Sequence, residues 1–265
     1  MNPIAISLGP LEIRWYAILI LSGFVIGMYL IKKEAKRLDL EPNKIMDLCI
    51  YLILVSIIGA RIYYVIFSFN DYKDNLIDIF KIWEGGLAIH GGIIAGIIFT
   101  YFYTKKHKLN ILKITDIIAP ALILGQAIGR WGNFFNGEAF GPATTISFLK
   151  QLHLPNFIID GMYLYSNTDH IYAYRQPTFL YESLWCLIGF ILLILIRRHK
   201  KIKVGMITGL YFIIYGIERL FVESLRQDSL MFLNTIKIAQ LISIIMILLG
   251  TILLIYSIKK SKNYN

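Results

Sequence analysis

A long apolar segment of this chain ends in the stretch Gly129-Arg130-Trp131-Gly132-Asn133-Phe134-Phe135-Asn136-Gly137-Glu138-Ala139-Phe140-Gly141. The stretch holds an arginine, two amides, a carboxylate and four glycines, which is unusual at the end of a segment that is soluble in lipid. An arginine at membrane depth costs at least about 2.5–3.5 kcal/mol on insertion scales, so it is kept where it meets a partner, a polar cavity or a ligand. The stretch therefore predicts a polar site at the end of a transmembrane helix.

The composition of the chain is that of an integral membrane protein. Of its 265 residues, 57% are hydrophobic and only 17% are charged, and the mean hydropathy is +0.61. These values are too apolar for an ordinary soluble domain. We predict an all-α bundle of about seven transmembrane helices, because seven stretches are long enough to cross about 30 Å of hydrocarbon. They lie near Trp15 to Ile31, Met46 to Phe67, Leu87 to Thr104, Ile114 to Trp131, Thr178 to Ile196, Val204 to Val222 and Ile238 to Ile258.

The positions of the basic residues indicate the orientation of this bundle. More than half of the 27 Lys and Arg residues follow the first, third, fifth and seventh predicted spans. Cytoplasmic loops are enriched in Lys and Arg, so we expect the N-terminus outside and the C-terminus in the cytoplasm. The formal net charge of +10 thus reflects topology, and we expect no nucleic-acid partner. We also expect no cleaved signal peptide, since no basic region precedes the first apolar run.

The chain is predicted to form a single membrane domain over residues 1–265, because no internal repeat or long linker interrupts it. The segment from about 133 to 176 is rich in Gly, Pro, Thr, Asn and Tyr, which predicts a small extracytoplasmic head of irregular structure. Cys49 and Cys186 lack a metal-like spacing, and we interpret them as buried thiols. No His, Cys or carboxylate cluster predicts a metal, and we expect no cofactor.

Two polar side chains lie near the outer ends of the second and third predicted spans. Arg61 either reaches up to the lipid headgroups or lines a site, and the sequence leaves both alternatives open. His90 stands between the pairs Gly85-Gly86 and Gly91-Gly92. A lone histidine on an apolar helix is most often structural, but the glycine pairs would open space beside its ring for a substrate. We therefore regard His90 as a candidate catalytic residue.

The sixth predicted span ends in Tyr215-Gly216-Ile217-Glu218-Arg219-Leu220-Phe221-Val222-Glu223-Ser224-Leu225-Arg226. Intervals of four and three residues put Tyr215, Arg219, Glu223 and Arg226 on one helical face. An ion pair between Arg219 and Glu223 would neutralise two buried charges, yet it would leave guanidinium donors for a ligand. Glu182, the only carboxylate of the fifth predicted span, is a candidate counter-ion for one of the arginines.

These residues predict a cavity on the outer side of the bundle, open sideways to lipid. It would contain Arg130, Arg219, a histidine, amides and tyrosines, with Arg61 and Arg226 as further candidates. Guanidinium groups in a water-poor pocket bind a phosphodiester and stabilise the charge that collects on its oxygens during bond cleavage. One preorganised donor is commonly worth about 3–4 kcal/mol in the transition state. The cavity therefore suits a lipid phosphate.

The same motifs resemble those of the prolipoprotein diacylglyceryl transferase family, and the resemblance covers essentially the whole chain. The matching elements are Arg14-Trp15-Tyr16, the pattern Gly-Gly-x-x-x-His-Gly-Gly at Gly85 to Gly92, the stretch Gly129 to Gly141, Pro177 with Leu180-Tyr181-Glu182, and Tyr215-Gly216 with Arg219 and Glu223. The long stretch is highly specific. One departure is Gln176-Pro177, where many members have His-Pro, so we assign position 176 no catalytic role.

The resemblance implies an enzyme of the bacterial cytoplasmic (inner) membrane with its active site on the extracytoplasmic side. It would move the diacylglyceryl group of phosphatidylglycerol to the lipobox cysteine of a prolipoprotein signal peptide, forming a thioether and releasing glycerol phosphate. Arg130 and Arg219 would bind the phosphate and stabilise the leaving group, and His90 would be the general base. The residues implied to line and orient the site are Tyr16, Asn133, Asn136, Glu138, Gly141, Tyr215 and Glu223.

Two other classes of protein remain alternatives. A transporter or channel for an anionic lipid or solute would also place arginines inside a bundle, but we would expect repeat symmetry or paired broken helices. A receptor or structural membrane protein would leave the stretch from Gly129 to Gly141 without a purpose. A different phospholipid-using transferase is the closest chemical alternative, and acceptance of lipid by a thiol peptide separates it from the implied enzyme.

Overall fold

The computed structural model describes residues 2–9, 11–73, 75–225, 231–232, 236–260 and 262–264. Arg226, which we considered for the cavity, lies outside these residues. The chain divides into two compact units, one of Met1–Leu30 and Thr115–Asn265 and the other of Ile31–Ile114. The stretch from Gly129 to Gly141 belongs to the first unit and His90 to the second. A single membrane domain over the whole chain stays a prediction.

Helices make up most of the described chain. The long helices are α1 (Trp15–Arg37), α2 (Pro42–Phe67), α3 (Ile89–Lys106), α4 (Ile111–Asn136), α7 (Thr178–Ile196), α8 (Met206–Leu225) and α9 (Ile238–Lys260). Two short helices, α5 (Ile146–Gln151) and α6 (Asn156–Gly161), lie between α4 and α7. Three 3₁₀ turns connect α2 to α3, at Phe69–Asp71, Leu76–Phe80 and Ile82–Glu84.

Among the described residues, five helices are long and apolar enough to cross a membrane, namely α1, α2, α4, α7 and α9. They fit the multi-pass membrane protein that the composition predicts. Helices α3 and α8 coincide with the two other predicted spans, but α3 ends in Lys105 and Lys106 and α8 carries Glu218, Arg219 and Glu223. Because charges reduce the apolar character of a helix, seven crossings and the orientation of the termini stay predictions.

Short strands accompany the helices, which the predicted all-α architecture does not contain. β1 (Ile4–Leu8) and β2 (Leu11–Arg14) form an antiparallel hairpin directly before α1. β3 (Ala143–Thr144), β4 (Tyr163–Ser166) and β5 (Ile171–Arg175) form a sheet in the order β3-β5-β4. β6 (Met231–Phe232) pairs with β7 (Ile236–Lys237) before α9. The fold is thus a helical membrane protein with small β additions outside its long helices.

The segment between α4 and α7 is a folded head, and the prediction of irregular structure for it was wrong. Helices α5 and α6 and the three-stranded sheet enclose a hydrophobic core formed by Phe134, Leu149, Ile158, Ile159, Met162 and Phe179. Phe134 belongs to α4 and Phe179 to α7, so the head is built onto the ends of these two helices. Its elements are two to six residues long, which is too short for hydrophobic periodicity to reveal them.

The head also contains a buried arginine. Arg175 in β5 is fully buried, and both of its terminal nitrogens contact the carboxylate of Asp169, with Nη2 2.8 Å from Oδ1. Nη2 also donates to the carbonyl oxygen of Ile171 at 2.8 Å. A buried guanidinium is tolerated only when its donors are satisfied in this way. Arg175 therefore ties the β4–β5 hairpin together and is structural.

Close contacts fix α8 within the first unit. Helix α8 packs against α7 and α9, and a Cβ atom on Gly250 of α9 would lie only 2.6 Å from the carbonyl oxygen of Gly209. Asp116 of α4, fully buried, accepts hydrogen bonds from the N–H groups of Gly205 and Thr208 at 2.5 and 2.8 Å. A carboxylate in this position satisfies N–H groups that a helix start leaves free. These contacts fix the orientation of α8 and therefore of the charged side chains that it carries.

In the second unit, α3 packs tightly against α2. A Cβ atom on Gly91 would overlap with Cβ of Tyr63 and with the carbonyl oxygen of Gly59, and one on Gly92 would lie 3.1 Å from the carbonyl oxygen of Ser56. The absence of side chains at Gly91 and Gly92 therefore allows the two backbones to approach. This is a packing role, different from the open space for a substrate that we predicted for this glycine pair.

Candidate active site

Glu182 of α7 joins the two arginines that the sequence singles out. Its Oε2 atom lies 2.7 Å from Nη2 of Arg130 on α4 and 3.4 Å from Nη1 of Arg219 on α8. The Glu182 side chain is fully buried, whereas those of Arg130 and Arg219 are 16% and 19% exposed. The prediction that Glu182 serves as a counter-ion is confirmed. One buried oxygen of α7 thus holds together two largely buried guanidinium groups, one from α4 and one from α8.

A second carboxylate orients Arg219. Nη2 of Arg219 lies 2.8 Å from Oε2 of Glu223, one helical turn further along α8, so the predicted intrahelical ion pair is confirmed. Each guanidinium has five N–H donors, and the two carboxylates engage Arg219 through only part of them. Tyr215, one turn before Arg219, interacts electrostatically with both Arg130 and Arg219. The face of α8 that the spacing predicts is therefore the face that meets Arg130.

The amides of the long stretch form a network with Glu138. Nδ2 of Asn133 donates to Oε1 of Glu138 at 2.9 Å, and Nδ2 of Asn136 donates to the same oxygen at 3.3 Å. Oδ1 of Asn133 accepts a long hydrogen bond of 3.5 Å from Nη1 of Arg130. Asn133 thus connects the arginine to the carboxylate of Glu138. The structure brings these four predicted site residues into one continuous polar group.

A tight turn after α4 places Glu138 in this network. Gly137 and Ala139 both have positive φ angles, 65° and 56°, and the N–H of Glu138 donates to the carbonyl oxygen of Asn133 at 3.0 Å. The chain then runs beside the start of α7, where the N–H of Gly141 donates to the carbonyl oxygen of Gln176 at 3.0 Å. A Cβ atom on Gly141 would lie 2.9 Å from Cβ of Gln176. Gly141 therefore permits a close approach of two chain segments, and its role in binding a substrate stays a prediction.

Tyr16 covers the same end of α4. A Cβ atom on Gly132 would lie 2.5 Å from Cδ2 of the Tyr16 ring, so the ring packs directly on the backbone of the helix. The neighbouring Trp15 stacks on Phe135 with ring centroids 5.1 Å apart. Tyr16 is 39% exposed, so part of the residue remains accessible, and its role in binding a lipid stays a prediction. The start of α1 thus lies beside the polar group on α4.

Arg61 in the second unit organises a loop. It is buried, and its guanidinium donates to the carbonyl oxygens of Asp78, Ile79 and Gly85 at 2.6, 2.8 and 2.7 Å. It also donates to Gly86 at 3.0 Å. Backbone carbonyl groups therefore occupy its donors. These contacts account for the position of Arg61 without a lipid headgroup or a substrate. The loop that it holds leads directly into α3.

His90 lies at the second position of α3, which begins at Ile89. Its side chain is exposed, and its ring centroid lies 6.2 Å from that of Tyr63 on α2. The 78–86 loop, held by Arg61, precedes it. His90 belongs to the second unit and the arginine group to the first, and its role as a general base stays a prediction.

Glu218 is a residue of the site that the sequence analysis did not single out. It is only 2% exposed, and it interacts electrostatically with Glu182, Arg130 and Arg219. It stands three residues after Tyr215 and immediately before Arg219. The i, i+3 interval from Tyr215 could have revealed Glu218. The predicted face was defined by Tyr215, Arg219 and Glu223, and Glu218 was not included in it. The group of charges therefore contains one more carboxylate than predicted.

Within the described residues, no group of three or more His, Cys, Asp or Glu side chains could hold a metal ion. The fold and the site define the protein as a multi-pass membrane protein in which two guanidinium groups share one buried carboxylate. The chain belongs to the prolipoprotein diacylglyceryl transferase family, whose pattern matches residues 3–256.

Individual relatives agree with this membership. The chain is 51% identical over 262 residues to the phosphatidylglycerol–prolipoprotein diacylglyceryl transferase of Streptococcus suis (strain 05ZYH33), covering 98% of this chain and 94% of the relative. It is 46% identical over 255 residues to the protein of that name from Staphylococcus xylosus, covering 96% and 89%. Identity to the Streptococcus pneumoniae (strain JJA) protein is 45% over 265 residues, covering 100% and 97%. These similarities do not favour the transporter or channel alternative.

Proposed function

We propose that the protein transfers the diacylglyceryl group of phosphatidylglycerol to the lipobox cysteine thiol of a prolipoprotein, the first step of bacterial lipoprotein maturation. The observation that carries this proposal is the shared contact of Arg130 and Arg219 with Oε2 of Glu182. It sets two guanidinium groups side by side, as a phosphodiester with two free oxygens requires. The names and sequences of the relatives support the choice of phosphatidylglycerol and prolipoprotein as substrates.

The arginines are proposed to act on the leaving group. When the bond between the glycerol carbon and the phosphate oxygen breaks, its electron pair stays on that oxygen, and the phosphate gains a second negative charge. Arg130 and Arg219 are already held by carboxylates, so little reorganisation is needed to stabilise this charge. Preorganisation of this kind is usually the largest contribution to catalysis.

The incoming thiol supplies the other half of the reaction. The sulfur attacks the glycerol carbon, a carbon–sulfur bond forms as the carbon–oxygen bond breaks, and glycerol phosphate departs. A free cysteine has a pKa near 8.5, so its proton must be removed to raise the reactive fraction at neutral pH. We propose His90 as the base that takes this proton, supported by its exposed position at the start of α3.

The remaining predicted residues are proposed to orient the lipid. Asn133, Asn136 and Glu138 would hold Arg130 and offer polar contacts to the headgroup, and Tyr16 and Tyr215 would border the glycerol region. Glu223 would keep Arg219 in place, and Gly141 would position the turn. The reaction needs neither a metal nor a cofactor.

The site is proposed to face the extracytoplasmic side of the bacterial cytoplasmic membrane, within the bilayer and open to lipid. The clusters of basic residues at the opposite ends of the predicted spans support this orientation. A prolipoprotein signal peptide crossing the same membrane would present its cysteine at the outer surface, at the depth of the phosphate groups.

The proposal is tested with the purified protein in detergent or vesicles, phosphatidylglycerol and a peptide that carries a lipobox. We expect a product whose mass has increased by one diacylglyceryl group on the cysteine, and no product from a peptide with Ser in place of Cys. Phosphatidylcholine in place of phosphatidylglycerol tests the headgroup. No transfer by a folded protein with several anionic phospholipids would overturn the proposed function.

A further inference from the structure

Three oxygens of the carboxylates Glu182 and Glu218 lack a hydrogen-bond donor. Oε1 of Glu182 and both side-chain oxygens of Glu218 are buried and have no partner among the described residues. Glu182 is fully buried and Glu218 is 2% exposed. A buried acceptor without a donor costs about 1–3 kcal/mol, and more when it is charged. Such a set of unsatisfied oxygens in one place calls for a missing donor.

The two carboxylates belong to the same group of charges. Glu218 of α8 interacts electrostatically with Glu182 of α7, and Glu182 contacts both Arg130 and Arg219. Two ionised carboxylates in one water-poor site repel each other strongly, and such pairs commonly hold one proton between them. One proton placed between Glu182 and Glu218 gives Oε1 of Glu182 a donor and removes the repulsion. The missing donor is then a carboxylic O–H group.

The charged surroundings of Glu218 are compatible with a neutral side chain. Arg130 and Arg219 are already engaged by Glu182 and Glu223, and no contact shorter than 4.0 Å is described between either guanidinium and Glu218. Lys237, before α9, donates to the backbone carbonyl of Glu223. The other ionisable side chains that interact with Glu218 are Cys186, Tyr211 and Tyr215. The two guanidinium groups thus have other carboxylates as their direct partners, and Cys186, Tyr211 and Tyr215 carry no positive charge.

We propose that Glu182 and Glu218 hold a single proton between them, and that this proton allows Arg130 and Arg219 to accept an anionic lipid phosphate. Glu218 is thus a positioning residue, which acts through Glu182 and the arginines. The inference rests on the proposed function, because it concerns how the same site binds its lipid. When the proton is lost, one more negative charge stands beside the guanidinium groups, and the affinity for the phosphate falls.

The pH dependence of lipid binding tests this role. KM for phosphatidylglycerol, measured at saturating peptide, is expected to rise about tenfold per pH unit above the pH at which the shared proton is lost, as a single linked proton requires. Glu218→Gln keeps the shape and donates an N–H to Glu182 at every pH, so its KM should stay level over the same range. His90 and the peptide are the same in the two measurements, so neither can cause a difference between the two profiles. Superimposable profiles would overturn the proposal.

Two further variants separate the proton from the shape of the side chain. Glu218→Ala removes the donor and leaves a cavity, so transfer at pH 7 is expected to fall at least about tenfold, while the Gln variant should stay within about threefold of the unchanged protein. Glu41→Gln removes a carboxylate from an exposed pair with Lys44 and serves as the control. Equal losses in the Gln and Ala variants would contradict a role for the proton.

Infrared difference spectroscopy tests the proton without any transferase activity. The unchanged protein at pH 7 should show the carbonyl stretch of a buried, protonated carboxylic acid, shifted in heavy water, and Glu218→Gln should lack it. Absence of the band from the unchanged protein, or its persistence in the Gln variant, would overturn the proposal. A protein that shows the band but transfers no lipid would instead contradict the proposed function, so the two failures are distinguishable.

Discussion

Nη2 of Arg130 lies 2.7 Å from Oε2 of Glu182, although the two residues belong to different helices, α4 and α7. The same oxygen contacts Arg219 of α8 at 3.4 Å. A buried salt bridge is weak support for stability by itself, but removing one partner leaves an uncompensated charge and costs about 3–5 kcal/mol. Glu182 is therefore the contact that Arg130 and Arg219 share, whereas Glu223 holds Arg219 in addition.

The first prediction concerns this carboxylate. Glu182→Gln keeps the size of the side chain but replaces the charged oxygen with an amide, so Arg130 and Arg219 lose their common anchor. Transfer of diacylglyceryl to a lipobox peptide should fall by at least about 100-fold, as when a preorganised donor is lost. Initial rates by mass spectrometry provide the measurement.

Glu41→Gln is the matched control for Glu182→Gln. Its side chain pairs with Lys44 at 2.8 Å on the surface, and exposed pairs are worth only about 0–1 kcal/mol. The control should transfer lipid at the normal rate. If both variants behave alike, the shared carboxylate does not organise the site.

The second prediction compares two glycines of the same helix. A Cβ atom on Gly132 would lie 2.5 Å from the ring of Tyr16, whereas one on Gly125 would meet nothing within 4 Å. Gly132→Ala should displace Tyr16 and raise KM for phosphatidylglycerol, since Tyr16 is proposed to border the lipid. Gly125→Ala should be neutral or slightly stabilising, because Ala favours a helix over Gly by about 1 kcal/mol. Equal KM values in the two variants would show that Tyr16 does not contact the lipid.

The third prediction concerns Arg61. A lysine at this position cannot reach the carbonyl oxygens of Asp78, Ile79, Gly85 and Gly86 together, because an ammonium group is compact and a guanidinium is a wide fork. Arg61→Lys should therefore loosen the loop before α3, which limited proteolysis of the protein in detergent would detect as faster cleavage between residues 68 and 88.

Arg37→Lys is the control for this loop, since Arg37 pairs with Glu34 at 2.7 Å elsewhere in the second unit. It should leave the cleavage rate unchanged. Unchanged cleavage in Arg61→Lys as well would mean that the four carbonyl contacts do not hold the loop.

The fourth prediction concerns the head. The hydrogen bonds from the Arg175 guanidinium lower the pKa of Asp169 below its ordinary value. A carboxyl group whose pKa is lower in the folded state stabilises the protein above its unfolded pKa of about 3.9, and this stabilisation is lost as the pH falls through the folded pKa. Asp169→Asn should therefore lower Tm at pH 7, and the difference from the unchanged protein should shrink below about pH 4.

Thermal unfolding of both proteins across this pH range provides the measurement. Asp160→Asn, which changes an exposed aspartate of the same head, is the matched control and should show no such dependence. A Tm difference for Asp169→Asn that stays constant with pH would contradict the role of the Arg175 pair.

The sequence predicted the long helices, which follow from the length of the apolar segments. It also predicted ion pairs that follow from the spacing of charged residues. The ends of the long helices lie within six residues of the ends of the predicted spans, and the interval between Arg219 and Glu223 correctly predicted their ion pair. The pairing of Glu182 with the arginines was also predicted, because a lone carboxylate in an apolar span requires a partner.

Other features depend on contacts between distant residues, which no local pattern reveals. Arg61 satisfies carbonyl groups of a loop rather than a ligand, and Gly91 and Gly92 allow α2 and α3 to approach rather than opening a pocket. A local signal did exist for Glu218, the i, i+3 interval from Tyr215, but its interaction with Glu182 joins two helices. The elements of the head were missed because they are too short for a periodic signal.

Arg130 and Arg219 are proposed to stabilise the departing phosphate. Single-turnover transfer from phosphatidylglycerol to a lipobox peptide in Arg130→Ala, Arg219→Ala and His90→Gln tests this role most directly. Removing either arginine should slow the chemical step at least about 100-fold at saturating lipid, and His90→Gln should keep a measurable rate that rises with pH as more thiolate forms. Arginine variants that react as fast as the unchanged protein, with activity abolished only in His90→Gln at every pH, would contradict the account.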